Sequence, residues 1–134
     1  MTIEWSNTFA IDINEIDEQH HKFVDLIAKL EQAIAEHTVK ENLAEVFDGL
    51  HDYVNYHFGT EEKHFEEFGC YPNAEAHIAS HRAFTQHLTE IRYKFLNDEK
   101  TLTVELATSL YDWLINHIGH MDREYIECFK SKGL

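Results

Sequence analysis

Residues that interrupt helices are scarce in this chain. It has 1 proline and 5 glycines in 134 residues. Proline removes a backbone hydrogen-bond donor and glycine loosens the backbone, so both tend to end helices and mark turns. Their scarcity favours a few long helices over many short elements.

Cysteine is also scarce. The only two, Cys70 and Cys128, are far apart in the sequence and form no CxxC pair. Two such cysteines do not make the disulfide framework of a small secreted protein. We therefore expect two free thiols in a reducing compartment.

The sequence shows no targeting or membrane segment. The N-terminal stretch Met1-Thr2-Ile3-Glu4-Trp5 has no basic region followed by an apolar run, as a signal peptide would. No apolar run approaches the ~18 residues that a membrane span needs. We expect a cytoplasmic protein that does not insert into membranes.

Positive charge is in deficit. Lysine and arginine number 11 against 25 aspartates and glutamates, so the formal net charge is −14. This balance argues against nucleic acid and anionic membranes as partners. A length of 134 residues, 43% of them hydrophobic, suits one domain, 1–134, with a real core.

Four segments carry apolar residues at helical spacing. They are about 18–37, 39–67, 73–97 and 102–131, preceded by an extended arm over about 1–16 in which apolar and polar residues alternate. Long amphipathic helices with short connections pack as antiparallel neighbours. The predicted fold is all-α, an up-down-up-down antiparallel four-helix bundle with an extended N-terminal arm. The expected helix starts are Asp17, the capping box Thr38–Glu41, Pro72 or Asn73, and Thr101 or Thr103.

Each helix has an apolar stripe that faces the predicted core. The stripe residues are Phe23, Ile27, Leu30 and Ile34; Leu43, Val46 or Phe47, Leu50, Val54 and Phe65; Phe84, Leu88, Ile91 and Phe95; and Leu106, Leu110 and Trp113. Histidines or carboxylates interrupt all four stripes: His20; His57 and Glu61; His77 and His81; His117, with Asp122 beyond it. A buried carboxylate costs several kcal/mol unless it is paired or metal-bound. Five imidazoles and two carboxylates at one interior level suit two metal ions bridged by the carboxylates.

Four motifs, one from each helix, carry a resemblance. They are Asp17-Glu18-Gln19-His20; His57-Phe58-Gly59-Thr60-Glu61-Glu62; His77-Ile78-Ala79-Ser80-His81; and Trp113-Leu114-Ile115-Asn116-His117 through to Asp122. In this order they make the chain similar to the bacterial hemerythrins over nearly its whole length. The resemblance implies a non-haem di-iron site that binds dioxygen reversibly, for oxygen transport, storage or delivery.

The resemblance also implies the role of each ligand. His77, His81 and His117 would bind one iron ion, and His20 and His57 the other, which keeps a position open for dioxygen. Glu61 and Asp122 would bridge the two ions together with an oxo or hydroxo group. On this interpretation the protein is not an enzyme.

Three alternatives stay open. Five neutral histidines and two carboxylates favour dioxygen binding over activation, yet a di-iron enzyme acting on peroxide or nitric oxide could use the same ligands. An O2-sensing or redox-sensing module would act through a partner, because 134 residues leave no room for an output domain. Manganese and zinc share these ligand types with iron. We expect a monomer, and an oxygen-consuming enzyme is one candidate recipient of the dioxygen.

Several neighbouring residues have predicted roles. Core packing is the first interpretation of Trp113, and lining a dioxygen pocket is the second. The expected dry wall over the open iron position is formed by Phe23, Val24, Val54, Phe58 and Trp113. Asp17 and Gln19 are candidates for hydrogen bonds to imidazoles, His64 for a supporting or competing role, and Glu62, Glu66 and Glu67 for a solvated acidic face.

The spacing of His117 and Asp122 does not fit a regular helix. Five residues turn ~140° around an ideal helix, so the two side chains would not share a face. A π-bulge would bring them into line, and Gly119 could ease it. We predict a bulge or bend between 117 and 122.

Overall fold

Four helical rods, two of them interrupted, build the molecule. The computed structural model describes the backbone of residues 4–94 and 99–134, and the side chains of 4–94 and 105–134. The helices are α1 (Asn14–Ala35), α2 (Val39–Tyr53), α3 (Gly59–Phe68), α4 (Ala74–Lys94), α5 (Glu99–Asp112) and α6 (Ile126–Ser131). A π-helical segment, Val54–Phe58, joins α2 to α3, and a second, Trp113–Ile118, follows α5.

These rods form the predicted all-α four-helix bundle. Helix α1 packs on α2 and on α5, and α4 packs on α3 and α5, so the four rods surround one interior. Short 3₁₀ turns lie at Asn7–Phe9 in the N-terminal arm and at Met121–Arg123 before α6. No helix among the described residues is both long and apolar enough to cross a membrane.

Helix α1 begins earlier than predicted. It starts at Asn14, so Asp17 lies inside its first turn and does not cap it. The Asp17 carboxylate instead accepts a hydrogen bond from the backbone N–H of Ile11, at 2.8 Å. The capping prediction was wrong because this side chain ties the arm to the helix.

The other predicted ends have mixed outcomes. Thr38 precedes α2 as expected, but its hydroxyl does not cap the helix. Helix α3 ends at Phe68, and Gly69 takes the left-handed conformation (φ +62°) that glycine adopts without a steric penalty. Thr101 and Thr103 lie inside α5, whereas Phe95 and the predicted helix end at Asn97 fall outside the described residues.

Two apolar clusters form the core of the part of the chain that the structure describes. The large cluster runs from Phe23 to Ile118 and contains most of the stripe residues of α1, α2, α4 and α5. The small cluster gathers the arm, the loop after α3 and α6: Ile11, Ile13, Ile16, Phe65, Tyr71, Tyr125, Cys128 and Phe129. Ile34 was expected in the core but is 42% exposed, since Ala33 holds the buried position of that turn.

A disulfide joins Cys70 to Cys128. The two residues are 58 apart in sequence, but the loop after α3 lies against α6 and brings their Cα atoms to 5.5 Å. The prediction of two free thiols was therefore wrong. The sequence could not indicate this contact because it depends on how the last helix packs.

Candidate metal centre

All seven polar residues of the predicted centre meet in the bundle interior. Each is at most 4% exposed. Their side chains form two groups, and Asp122 belongs to both. Within each group, the ligand atoms all lie within 4.8 Å of one another. The larger group is Glu61, His77, His81, His117 and Asp122; the smaller is His20, His57 and Asp122.

Asp122 directs one oxygen to each group. Its Oδ1 lies 2.7 Å from His77 Nε2 and 3.0 Å from His117 Nε2. Its Oδ2 lies 3.0 Å from His20 Nε2 and 3.8 Å from His57 Nε2. The Asp122 carboxylate thus spans the two groups, as a bridging ligand must.

Glu61 also contacts both groups. Its Oε1 lies 3.1 Å from His57 Nε2 and 3.2 Å from His81 Nε2. Its Oε2 lies 3.9 Å from His77 Nε2. The second carboxylate therefore has the same relation to the two groups as Asp122.

Many of these atoms are buried and lie close to one another, but they are not aligned for a hydrogen bond. Among the described residues, they are Nε2 of His57, His77, His81 and His117, both oxygens of Glu61 and Oδ1 of Asp122. Each unsatisfied buried group costs about 1–3 kcal/mol, so a cluster of them calls for a common partner. Imidazole nitrogens and carboxylate oxygens are ligands for iron, manganese and zinc, and a metal of this kind fits the site.

The opposite ring nitrogen of every histidine in the centre has a partner. His20 Nδ1 lies 3.3 Å from the Phe9 carbonyl oxygen, and His57 Nδ1 lies 2.5 Å from Gln19 Oε1. The Nδ1 atoms of His77, His81 and His117 lie 3.0 Å from the Tyr71 hydroxyl, Glu62 Oε2 and the Ser80 hydroxyl. These contacts favour a proton on Nδ1 and direct Nε2 into the interior, where it can bind a metal when it carries no proton.

Two of these partners bear on the sequence predictions. Gln19, a candidate for such a contact, is buried and also donates to the Thr60 hydroxyl at 3.2 Å. Glu62 was assigned to a solvated acidic face, but one of its oxygens contacts His81. That part of the prediction was wrong, because Glu62 lies on the edge of α3 that faces α4.

The charges of the centre shift its pKa values. Burial and Asp122 raise the pKa of Glu61, but His57 and His81 outweigh them and bring it to about 2. Burial lowers the pKa of His57, but Glu61 and Asp122 together raise it to about 9. Without metal, the centre therefore holds ionised carboxylates against at least one imidazolium.

The two π-helical segments each carry a ligand candidate. His57 lies in Val54–Phe58 and His117 in Trp113–Ile118. After the second segment the chain turns at Gly119, and Asp122 lies in the 3₁₀ turn that follows. The predicted bulge or bend before Asp122 is confirmed, whereas the segment at 54–58 was not expected because the four-residue spacing of His57 and Glu61 suits a regular helix.

The five residues of the predicted apolar wall are all buried. Phe58 stacks on His81 with ring centroids 3.9 Å apart, and Trp113 stacks on His117 at 3.7 Å. Phe23 contacts Tyr53, with ring centroids 4.8 Å apart. Val24 and Val54 complete the buried set. Sequence reasoning missed Tyr53, which stacks on His57 at 5.0 Å and precedes it by one turn.

The remaining histidines lie outside both groups. His64 stacks on Phe68 and lies 3.7 Å from Glu15, so it has no direct place in the centre. His21 faces away and stacks on Trp5 of the arm at 3.5 Å. His37, His51 and His120 are exposed, and His87 bonds Ser109 at 2.7 Å.

Comparison with known proteins identifies the family. The model of the hemerythrin HHE cation-binding domain matches residues 11–129. A bacteriohemerythrin of Stenotrophomonas maltophilia is 34% identical over 127 residues, which is 95% of this chain and 81% of that protein. A bacteriohemerythrin of Methylococcus capsulatus is 29% identical over 92% of each chain, and a hemerythrin-like protein of Naegleria gruberi is 27% identical over 90% of this chain and 88% of its own length. The motifs, the bundle and the buried histidine–carboxylate centre agree with these matches, and the chain belongs to the hemerythrin family.

Proposed function

We propose that this protein binds dioxygen reversibly at a di-iron centre. The observation that carries the proposal is the pair of buried histidine groups that share Asp122, with Nε2 atoms and carboxylate oxygens left unpaired. His77, His81 and His117 would hold one iron ion, and His20 and His57 the other. Glu61 and Asp122 would bridge the two.

The ligand set favours binding over catalysis. Two iron ions would supply the electrons and the vacant coordination position that reversible dioxygen binding requires. The position with two histidines has one protein ligand fewer than the other, so the vacant coordination position would lie there. Neutral imidazoles outnumber carboxylates, which gives a less anionic site than oxidases built mostly from carboxylates have. We therefore assign no catalytic residue.

The chain's own part is to hold the ions and exclude water. The outer contacts fix all five imidazoles with Nε2 inward. Phe58 and Trp113 stack directly on two of these rings, and Phe23, Val24 and Val54 lie in the same apolar cluster. We propose that these five side chains form the dry wall of the dioxygen site, because an apolar lining slows the entry of water.

Transport, storage or delivery of dioxygen by a monomer, as a single domain, is the role that we propose. No contact among the described residues favours sensing or peroxide chemistry over it. The cytoplasmic location stays a prediction. It rested partly on the expectation of two free thiols, and the disulfide between Cys70 and Cys128 removes that support.

The test is optical. Reduced, iron-loaded protein is measured without oxygen, in air and again after oxygen removal, and the iron content is determined. We expect two iron ions per chain, a charge-transfer absorption in air and its disappearance on deoxygenation. An irreversible ferric spectrum would overturn reversible binding.

Matched variants test the ligands. His57→Gln removes a proposed ligand, whereas His64→Gln changes a histidine of the same rod that lies outside the two groups. We expect the first variant to lose iron and the reversible absorption, and the second to keep both. Equal behaviour of the two folded variants would contradict the assignment of His57.

A further inference from the structure

We infer that hydrogen bonds outside the ligand set make the two metal positions electronically unequal. At the three-histidine position, carboxylates support His81 directly and His77 through Tyr71, while His117 contacts the neutral Ser80 hydroxyl. At the other position, His20 and His57 both contact neutral groups. Iron at the three-histidine position is therefore the more stable in the ferric state. This inference rests on the proposed di-iron function and adds roles for Glu62, Tyr71, Glu124 and Gln19.

The inner carboxylates do not distinguish the two positions. Asp122 directs Oδ1 to His77 and His117 and Oδ2 to His20. Glu61 Oε1 is nearly equidistant from His57 and His81, at 3.1 and 3.2 Å. Because each position shares both charges, a difference must come from what the imidazoles contact on their far side.

His81 contacts an anion directly. Its Nδ1 lies 3.0 Å from Glu62 Oε2, and the Glu62 side chain is 34% exposed while His81 is buried. A hydrogen bond from imidazole to a carboxylate raises the basicity of the metal-binding nitrogen. This ring is therefore a stronger electron donor than one that faces a neutral group.

His77 reaches an anion through one intermediate. The Tyr71 hydroxyl donates to Glu124 Oε1 at 3.2 Å, so it accepts from His77 Nδ1 at 3.0 Å. Asn73 also donates to Glu124 Oε1, at 3.0 Å, and holds that carboxylate in place. Hydrogen bonds in a chain polarise one another, so Glu124 acts on His77 through Tyr71 more weakly than Glu62 acts on His81.

The two-histidine position has no such support among the described residues. His20 Nδ1 faces the Phe9 carbonyl, and His57 Nδ1 faces the amide oxygen of Gln19. A cation, Arg123, lies beside the arm and donates to the carbonyls of Thr8 and Ala10 on either side of Phe9. Neutral acceptors raise the basicity of these rings less than a carboxylate does, so iron at this position is more stable in the ferrous state than iron at the other.

The experiment compares Glu62→Gln and Gln19→Glu by redox titration of the iron-loaded protein. Outer contacts of metal-bound histidines typically change metal affinity by about 10–100-fold. A tenfold change in the ratio of ferric to ferrous affinity corresponds to about 59 mV for one electron. Each substitution should reduce the difference between the reduction potentials of the two one-electron steps by about 59 mV.

The mean of the two reduction potentials distinguishes an electronic effect of these hydrogen bonds from a merely structural one. Glu62→Gln weakens the support of the three-histidine position and should raise the mean, whereas Gln19→Glu adds a carboxylate at the other position and should lower it. Glu66→Gln is the matched control: it makes the same charge change one turn along α3, at an exposed residue, and should move neither value. Glu124→Gln should act like Glu62→Gln with a smaller shift, and it remains informative if the buried charge introduced by Gln19→Glu impairs folding.

Mössbauer spectra of the half-oxidised protein give a second readout. The ferric signal should come from one site in the native protein and should spread over both sites in Glu62→Gln. Shifts equal to those of Glu66→Gln, or shifts of one sign in both Glu62→Gln and Gln19→Glu, would overturn the inference. Failure to bind two iron ions in the unmutated protein would instead overturn the proposed function.

Discussion

At the scale of single residues, the centre depends on which nitrogen of each histidine carries the proton. All five Nδ1 atoms have hydrogen-bond partners that come from other helices, loops or the arm. This arrangement keeps every Nε2 directed inward before any metal arrives. The metal-free protein is therefore preorganised, at the cost of unpaired polar atoms in its core.

The metal-free centre should release a proton when it takes up metal. Its carboxylates hold the pKa of His57 at about 9, against an ordinary value of 6.5, although burial opposes them. His57 is thus protonated near pH 7.5, and a metal can bind only the neutral ring. Zinc titrated into weakly buffered apoprotein at pH 7.5 should release about one proton from this residue, and the release should decrease as pH rises through about 9.

The same shifts set the pH range in which the metal-free fold is stable. The raised pKa of His57 contributes stability that is complete below 6.5 and lost as pH rises through about 9. The lowered pKa of Glu61 contributes stability that is present above 4.5 and lost as pH falls towards about 2. Urea unfolding of the apoprotein should therefore show greatest stability between these limits, and a monotonic rise from pH 5 to 10 would contradict the assignment.

The sequence predicts the seven inward residues better than their partners. Glu61, His77 and His81 interrupt apolar stripes, where a polar residue is conspicuous. Glu62 and Tyr71 give no such signal, because an exposed acid and a loop tyrosine are ordinary. Their roles depend on contacts between α3, α4 and the loop joining them, which periodicity does not report.

At the scale of helices, the π-helical segments align the ligands. The five-residue step from His117 to Asp122 is visible in the sequence and predicts an irregular turn. The segment at Val54–Phe58 leaves no comparable trace, because His57 and Glu61 keep a regular spacing. A π-helical segment can thus be predicted from the sequence only where it changes the spacing between candidate ligands.

Gly119 should be required for the second of these turns. A Cβ atom there would lie 2.5 Å from the backbone oxygen of Ile115, a contact that only a backbone shift could relieve. Gly119→Ala should destabilise the protein by about 1–3 kcal/mol and displace Asp122. Gly59→Ala is the control: a Cβ there meets nothing within 4 Å, and alanine should stabilise the helix by about 0.5–1 kcal/mol. Denaturant unfolding and iron content measure both effects, and equal stability of the two variants would contradict this role.

At the scale of the whole molecule, the disulfide closes the small cluster. It joins the loop that carries Tyr71 to α6, across 58 residues of sequence. Replacing both cysteines by serine should cost about 2–4 kcal/mol, chiefly through the greater freedom of the unfolded chain. Urea unfolding with and without reductant checks this: reductant should destabilise the native protein and leave the double variant unchanged. Two titratable thiols in the native protein under oxidising conditions would show that the bond is absent.

Metal should hold the two ends of the bundle together. The polar centre draws on both clusters: Tyr71 of the small cluster contacts His77, and Trp113 of the large cluster stacks on His117. Removing metal leaves Glu61 and Asp122 buried beside imidazoles, so the loss should loosen the small cluster first, because it has fewer apolar side chains. At a free metal concentration about 1,000 times Kd, binding adds about 4 kcal/mol to the free energy of unfolding, and metal removal should lose this contribution.

Hydrogen exchange measures the effect of metal removal. Exchange should rise most in the arm, the loop after α3 and α6, while the amides of Leu43 to Leu50 in α2 keep their protection. An apoprotein with the same melting temperature and the same exchange pattern as the loaded protein would contradict a buried, bridged centre.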